Sequence, residues 1–506
     1  MNSPVSALFK KLIEFDKSNA KPVYVQVAQQ IINLIQRGYI TKGTLLPGTR
    51  ILSKVLAVHR NTAVAIYDEL ASQGWVEIQP NKGTFVLFPE QNITKIKAAS
   101  YPVSTSFACP EETGFAFQKT FHLASTAQAT QAKYVINDGK PDLRLHPTYQ
   151  FSRWYSAAMK RKSLIKKWNR TDESLFSVFE AQLSNYLNAT RGFHIKPGNI
   201  LSTRSTEMSL YVVSQLLLKP GDVVLVGQLS NYTANMIFQQ AGASIKTVPV
   251  DGDGLDVDYI KTHFIKGGVR CVYLCAQRDY PTTVTLSADR RLKLLQLAKT
   301  FGFAVIEDDF DYDFQYEGSA KLPLASADAS GHVIYLGKLG QSLFPSFQTG
   351  FVVAPDSLIS EAKNYLQLLD QQGDLIQKQM FAELISEGEI YRLIKKNSLV
   401  YKQRRDCLCE ELKICFGDAI QWDVPSGGLA IWLRFKPEIP LVKLAEVAEI
   451  KDVFIPKTIL YQDRDTCAIR FGFGHLEEVE IKTVVKTLKA SYDAVINESD
   501  IKAPVL

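Results

Sequence analysis

Short, wholly apolar runs recur in the middle of the chain, at residues 223–226, 271–274, 304–306 and 333–336. Polar residues or glycine follow them, and segments with apolar residues at helical spacing lie between them. Strands that are apolar along their whole length are typical of parallel sheets, because helices cover both faces of such sheets. The pattern therefore predicts an α/β domain whose functional residues follow the carboxyl ends of the strands.

The length and the composition indicate a multidomain globular protein. A chain of 506 residues exceeds one ordinary domain, and its 46% hydrophobic and 22% charged residues are average for globular proteins. No segment approaches the roughly 18 apolar residues of a membrane span, and the start has no signal-peptide pattern. The seven cysteines form no CxxC pair and have no histidine nearby at metal spacing. We expect a cytoplasmic protein with reduced thiols, no metal site and no membrane partner.

The positive charge of the chain is concentrated at its N-terminus. Residues 1–86 hold ten Lys and Arg against five acidic residues, which is a net charge of +5 out of +6 for the whole chain. A small basic unit of this kind indicates nucleic-acid binding.

The order of elements in this basic unit is that of a winged helix-turn-helix. Apolar residues at helical spacing predict three helices, around residues 27–35, 52–56 and 64–71. Two short strands, at 75–78 and 84–86, follow and are joined by a turn rich in Pro, Asn and Gly.

In such a motif, the N-terminal end of the second helix enters the major groove of DNA. Here that end carries an arginine that can bind guanine bidentately, an asparagine suited to adenine and a threonine suited to phosphate. The alternative is that Asn61 and Thr62 merely cap the helix. We predict that the DNA contacts are Arg50, His59, Arg60, Asn61, Thr62, Lys82 and Gly83.

Three segments carry a specific family resemblance: KPVYVQVAQQI, GTLLPGTRILSKVLAVHRNTAVAIYDELASQGWVE and NKGTFV. They resemble the N-terminal domain of GntR-type bacterial transcription regulators. This resemblance implies that Arg50, Arg60, Thr62 and Gly83 contact DNA.

Motifs between residues 137 and 475, among them NDGKPDLRLHP, VIEDDFDYDF and RFGFGH, extend the resemblance to the MocR subgroup. The large domain of that subgroup has the fold of type I aminotransferases that use pyridoxal phosphate (PLP). The expected fold class is thus an α/β aminotransferase fold type I domain preceded by a winged helix-turn-helix domain. We expect the DNA-binding domain at 1–86, a linker at 87–134 and the large domain at 135–506.

A PLP enzyme needs a lysine for the Schiff base, an acid at the pyridine nitrogen and an arginine for the substrate carboxylate. By the resemblance, Asp308 is that acid and Arg470 is that arginine. Asp308 could instead belong to an acidic cluster that caps helices or binds a cation. Arg470 could simply pair with one of those acids.

The Schiff-base position of the family is occupied here by Gln341, and an amide nitrogen is not a nucleophile. Lys338, three residues earlier, would need a different backbone path to replace the lysine. Further family positions are changed: Gln348 replaces the phosphate-binding arginine, and Phe310 replaces a tyrosine. The ring-stacking tyrosine aligns with Asn231, with Tyr232 beside it. The predicted effector pocket comprises Tyr232, Asp308, Phe310, Gln341, Gln348 and Arg470.

These residues predict a DNA-binding transcription regulator with a degenerate, non-catalytic aminotransferase-like domain that holds no cofactor covalently. PLP is the cofactor that the family implies. The alternatives are an active PLP-dependent aminotransferase, a PLP-sensing regulator, and a purely structural dimerisation domain without a ligand. The expected partners are double-stranded DNA, an unidentified small-molecule effector and a second copy of the chain. In that homodimer, the DNA-binding domain of each chain, which we call its head, could cross to the partner's large domain.

Overall fold

A computed structural model describes most of the chain. The described residues are 4–16, 21–36, 39–80, 82–87, 112–117, 120, 123, 128–146, 148–161, 177–319, 321–340, 347–371, 373–435 and 439–501. They form two compact units, Met1–Phe117 and Gln118–Leu506. Most of the expected linker at 87–134 lies outside the described residues, so the domain boundaries stay predictions.

The first unit contains the predicted helices and hairpin, together with two elements that sequence reasoning missed. Its elements are α1 (Pro4–Leu12), α2 (Val23–Gln36), β1 (Leu45–Leu46), α3 (Thr49–Val55), α4 (Arg60–Ser72), β2 (Val76–Gln79) and β3 (Gly83–Val86). The missed elements are α1 and the two-residue strand β1. Strand β1 pairs antiparallel with β3, so the wing is a three-stranded sheet in the order β1-β3-β2.

One apolar core joins the helices of this unit to its sheet. Phe9 from α1, Ile31 from α2, Leu52 from α3, Ile66 from α4 and Val86 from β3 are all buried in it. The buried hydroxyl of Tyr67 also donates a hydrogen bond to the carbonyl oxygen of Pro47, just before α3. This bond ties α4 to the start of α3 and helps to fix the angle at which α4 is presented.

The second unit is built on a seven-stranded sheet. Its elements up to this sheet's last strand are β4 (Tyr134–Val135), α5 (Thr148–Met159), α6 (Ser177–Arg191), β5 (Ile200–Thr203), α7 (Thr206–Leu217), β6 (Val223–Gly227), α8 (Tyr232–Gln240), β7 (Ser244–Val248), β8 (Val250–Asp251), β9 (Gly254–Leu255), α9 (Val257–His263), β10 (Cys271–Leu274), α10 (Ala288–Phe301), β11 (Ala304–Asp309), α11 (Leu324–Ala327), β12 (Val333–Leu339) and β13 (Thr349–Val353).

The strand order in this sheet is β5-β13-β12-β11-β10-β6-β7. The four apolar runs of the sequence are β6, β10, β11 and β12, which pair with one another in parallel as predicted. Strand β13 runs antiparallel to both of its neighbours. The carboxyl ends of β10, β11 and β12 therefore meet at one edge, where the candidate pocket residues follow them.

The remaining elements include a smaller antiparallel sheet in the order β14-β15-β18-β17. They are α12 (Asp356–Leu369), α13 (Leu375–Ser386), α14 (Glu389–Phe416), β14 (Ile420–Gln421), β15 (Ala430–Phe435), α15 (Leu441–Ile450), β16 (Val453–Phe454), β17 (Leu460–Gln462), β18 (Cys467–Gly472) and α16 (Glu478–Ile501). Strand β4 pairs with β16 in parallel. Within the described ranges, no helix is both long enough and apolar enough to cross a membrane.

Candidate functional site

The N-terminal end of α4 presents the residues predicted to read DNA. His59 is the N-cap of α4, and its Nδ1 accepts a hydrogen bond from the backbone N–H of Asn61 at 3.3 Å. Arg60 and Asn61 are exposed, and Thr62 is half-buried. The alternative in which Asn61 or Thr62 caps the helix is wrong, because His59 takes that position. The side chains of Arg60 and Asn61 both lie on the solvent face of α4.

The other predicted contacts lie on α3 and on the wing. Arg50 is exposed in the first turn of α3, and Lys82 is exposed at the tip of the hairpin. Gly83 has φ +118°, and a Cβ built on it would lie 2.6 Å from Leu45 Cδ1. Gly83 thus has a structural reason to be glycine, because L side chains rarely adopt a φ of +118°.

Asp308 lies near the carboxyl end of β11 and is 6% exposed. The hydroxyl of Tyr273, from β10, donates a hydrogen bond of 2.7 Å to its Oδ2. Burial raises the pKa of Asp308 to about 6, although Tyr273 and the nearby Lys338 favour the charged form. Oδ1 of Asp308 is buried and has no hydrogen-bond partner among the described residues. This oxygen could accept a bond from a protonated ring nitrogen.

The neighbouring acids accept hydrogen bonds from the chain itself, although Oδ1 of Asp309, like that of Asp308, is buried and has no partner among the described residues. Glu307 accepts hydrogen bonds from the backbone N–H groups of Leu324 and Ala325 at 2.8 and 3.0 Å. Asp309 accepts one from the Tyr335 hydroxyl at 2.8 Å. The interpretation of this cluster as a helix cap therefore holds for Glu307, which caps α11. Within the described ranges, no group of three or more His, Cys, Asp or Glu side chains is arranged to hold a metal ion.

Two cationic side chains lie near the ring of Phe310. Lys338 Nζ lies 5.7 Å from the ring centroid, and Arg470 Cζ lies 5.8 Å from it. Burial lowers the pKa of Lys338, whereas the charge of Asp308 opposes this shift. Lys338 thus faces the same region as Asp308.

Arg470 is engaged within the chain and is 3% exposed. Its Nε lies 2.9 Å from Oδ1 of Asp138, as an ion pair rather than a directed hydrogen bond. Its Nη1 donates a hydrogen bond to the carbonyl oxygen of Pro281 at 2.9 Å, and Tyr280 covers it with a ring centroid 4.8 Å from Cζ. The expectation that Arg470 pairs with an acid of the 307–311 cluster is wrong, because Asp138 lies closer. Asp138 thus supplies from within the chain the negative charge that faces Arg470.

A small cleft opens beside Phe310 at the carboxyl ends of β11 and β12. Its lining residues are Arg191, Asp309, Phe310, Tyr312, Asp313, Phe314 and Lys338. Asp308 and Arg470 do not line it. The guanidinium of Arg191 is already paired with Asp313, at 2.9 Å.

The other predicted pocket residues are more dispersed. Tyr232 is the first residue of α8 and is 39% exposed, while Asn231 is the N-cap of that helix. Gln348 is half-buried, and its backbone carbonyl accepts a long bond of 3.4 Å from the side chain of Gln377. Gln341 lies outside the described residues. By the resemblance, residues 204–207 replace the phosphate-binding loop of the family, and Arg204 there forms an ion pair of 2.7 Å with Asp370.

These residues fit PLP only in part. The buried, partnerless Oδ1 of Asp308 suits the protonated pyridine nitrogen of the cofactor. Arg470 is neutralised by Asp138, Phe310 has no hydroxyl group, and Arg204 is held by Asp370. The described side chains therefore do not make up a complete cofactor site.

Sequence reasoning missed the residues that form ion pairs or hydrogen bonds with the charged groups of the site. They are Asp138, Arg191, Tyr273, Arg278 and Tyr280. Tyr273 carried a detectable signal, because a tyrosine inside a wholly apolar strand needs a partner for its hydroxyl. Asp138 is distant in sequence from Arg470 and carried no such signal.

Comparison with known proteins follows the division into two units. Residues 23–86 match the family described as bacterial regulatory proteins, gntR family, and residues 143–479 match aminotransferase class I and II. These matches confirm the two resemblances and the predicted fold class.

Individual proteins are similar to this chain over most of its length. The chain is 24% identical over 436 residues to the probable rhizopine catabolism regulatory protein MocR of Rhizobium meliloti, covering 84% of each chain. It is 23% identical over 419 residues to the HTH-type transcriptional regulator TauR of Rhodobacter capsulatus, covering 81% of this chain and 83% of TauR. Among solved structures, an archaeal alanine:glyoxylate aminotransferase superposes with a TM-score of 0.66 at 26% identity, over 71% of this chain and 91% of that one.

Proposed function

Since the chain belongs to the aminotransferase class I and II family and carries a gntR-type head, we propose that its large domain is a degenerate, non-catalytic effector domain. The protein is a DNA-binding transcription regulator of the MocR kind. The observation that carries the proposal is Gln341 at the position of the Schiff-base lysine. An amide cannot attack an aldehyde, so the domain binds any effector without a covalent bond to this residue.

The surroundings of Gln341 support this proposal. Arg470 is neutralised by Asp138, which removes the free cation that a substrate carboxylate would need. Arg204 is engaged by Asp370, and Gln348 brings no charge to the phosphate end. A charge-assisted phosphate contact contributes about 1.5 to 3 kcal/mol, so two lost contacts weaken PLP binding by roughly a hundredfold to ten-thousandfold.

The proposal is tested by adding PLP to the purified full-length protein, reducing with borohydride and mapping modified lysines by mass spectrometry. We expect no site-specific adduct in the parent protein. Gln341→Lys, alone or with Gln348→Arg, should create an absorption band that borohydride removes. Gln403→Lys adds a lysine on the exposed side of α14 and controls for surface reaction. A stoichiometric adduct on Lys338 or another pocket lysine of the parent would favour the enzyme instead.

A second candidate is a dimerisation scaffold without a ligand, which the pairing of Arg470 with Asp138 favours. The two candidates differ in one measurement. An effector domain should show a saturable shift of its melting temperature with PLP or an amino acid, whereas a scaffold should show none.

We also propose that the protein is a cytoplasmic homodimer on double-stranded DNA. A winged helix reads half-sites best in pairs, and two copies of the chain supply the two heads. Each head could cross to the large domain of the partner subunit through the expected linker at 87–134. Sedimentation of the full-length chain at micromolar concentration should give a dimer, and a monomer would reject this part of the proposal.

A further inference from the structure

The exposed face of α4 continues beyond its first turn. The side chains of Ala63, Ile66, Tyr67 and Leu70 are buried on the inner face of the helix. Arg60, Val64 and Asp68 are exposed and follow one another at intervals of four residues. Residues four apart lie one above the other on a helix, so these three form a single stripe.

Val64 is not part of the buried core of this unit. Its side chain is 40% exposed, and it is not among the described residues that form that core. Valine also lowers helix propensity relative to alanine, because its branched Cβ restricts rotation against the preceding turn. An exposed apolar, β-branched side chain at this position becomes favourable only when a binding partner buries it.

The neighbours of Val64 indicate what covers it. Arg60 and Asn61, one turn earlier, are the side chains suited to base edges. Asp68, one turn later, has no hydrogen bond or ion pair within the described part of the chain, and its carboxylate would repel phosphates. Val64 thus lies between two parts of α4. The part before it carries side chains suited to base edges, and the part after it carries a carboxylate that the phosphates of DNA would repel. The only apolar group on the base edges of the major groove is the C5 methyl of thymine.

We propose that Val64 reads a thymine in each operator half-site through contact with its C5 methyl group. This inference rests on the proposed role of α4 in reading DNA. Four residues of helix advance about 6 Å, and stacked base pairs advance about 3.4 Å. The thymine therefore lies about two base steps from the base that Arg60 contacts.

The test begins with the full-length protein and an operator selected from random duplex DNA. Each thymine of a half-site is then replaced by deoxyuridine, which removes only the methyl group. We expect one such replacement to weaken binding about fourfold per half-site, the equivalent of about 0.8 kcal/mol for one buried methyl group. Val64→Ala should bind the thymine and deoxyuridine operators equally. Ile51→Ala removes an exposed apolar side chain from α3 and should keep the full methyl sensitivity.

Three outcomes are informative. If no deoxyuridine replacement weakens binding by the parent protein, the inference is wrong. It is also wrong if Val64→Ala still prefers the thymine operator by the same factor as the parent protein. An equal loss of affinity for both operators relative to the parent would indicate a protein contact or a helix effect. If the parent protein selects no DNA sequence at all, the proposed DNA-reading role of α4 fails instead.

Discussion

The ion pair between Arg470 and Asp138 makes a quantitative prediction for Asp138→Asn. The substitution keeps the shape of the side chain and an oxygen that can accept the 2.9 Å hydrogen bond from the Tyr280 hydroxyl. It removes the only carboxylate within 4 Å of the buried Arg470 guanidinium among the described residues. The remaining partners of Arg470 are the carbonyl oxygen of Pro281 and two aromatic rings.

The magnitude follows from the burial of the two partners. Breaking a fully buried ion pair by deleting one charge costs about 3 to 5 kcal/mol. The side chain of Asp138 is 34% exposed, so water already screens part of the attraction. Burial also raises the pKa of Asp138, and the substitution relieves that desolvation cost. We therefore expect a net loss of about 2 kcal/mol of unfolding free energy.

The assay is urea unfolding followed by tryptophan fluorescence in a Trp75→Phe background. Trp75 is the only tryptophan within residues 1–117, so this background reports on the large unit alone. A loss of about 2 kcal/mol lowers the urea midpoint by roughly 0.5 to 1 M. Asp423→Asn, which breaks an exposed pair with Arg434, is the control and should leave the midpoint unchanged.

A double variant separates charge from packing. Asp138→Asn with Arg470→Met replaces both charges by neutral groups and should recover most of the lost stability. If Asp138→Asn alone unfolds at the parental urea concentration, Asp138 does not neutralise Arg470. Arg470 would then not be neutralised within the chain, and it would remain free to bind a substrate carboxylate.

Three further predictions concern the head and the acids of the large unit. Arg60→Ala should cost about 1 to 3 kcal/mol at a specific operator and relax base preference there, whereas Lys82→Ala should mainly lower the salt dependence; equal binding by both variants would contradict the contact assignment. Gly83→Ala should lower the melting temperature of the head, because its Cβ would meet Leu45 at 2.6 Å and φ is +118°; an unchanged melting curve would show that the wing rearranges freely. Burial raises the pKa of Asp279 and of Glu307 to about 7, above their unfolded values, so the stability they contribute is fully present below the unfolded pKa and is lost as pH rises through about 7. The urea midpoint of the large unit should therefore fall between about pH 4 and pH 7 and level off above pH 7, and Asp279→Asn should flatten that fall.

The elements that carry the proposed DNA-reading surface could be predicted from the sequence in most of their detail. Local patterns placed three helices and a hairpin, and the motif order placed Arg60 and Asn61 at the start of α4. The exposure of Val64 could not be predicted this way, because a valine at that spacing resembles a core residue until the buried face of α4 is known. The role of His59 as the N-cap was also hidden, since histidine is not a preferred capping residue.

In the large domain, too, some features could be predicted from the sequence and others could not. Apolar periodicity and family motifs were sufficient for the parallel strands β6, β10, β11 and β12, because a strand buried on both faces must be apolar along its length. The family motifs also predict Gln341 at the lysine position, and this stays a prediction because Gln341 lies outside the described residues.

Only the tertiary structure decided which charged groups neutralise one another. Asp138 and Arg470 are more than 300 positions apart, and they meet because Asn137 bridges to Gly472, the last residue of the strand that contains Arg470. Tyr273 reaches Asp308 because β10 and β11 pair in parallel. Such pairings depend on distances of a few ångströms between separate elements, and local propensity carries no information about them. The sequence thus determined the fold and carries the prediction that Gln341 stands at the lysine position, whereas long-range packing decided that Arg470 is paired within the chain.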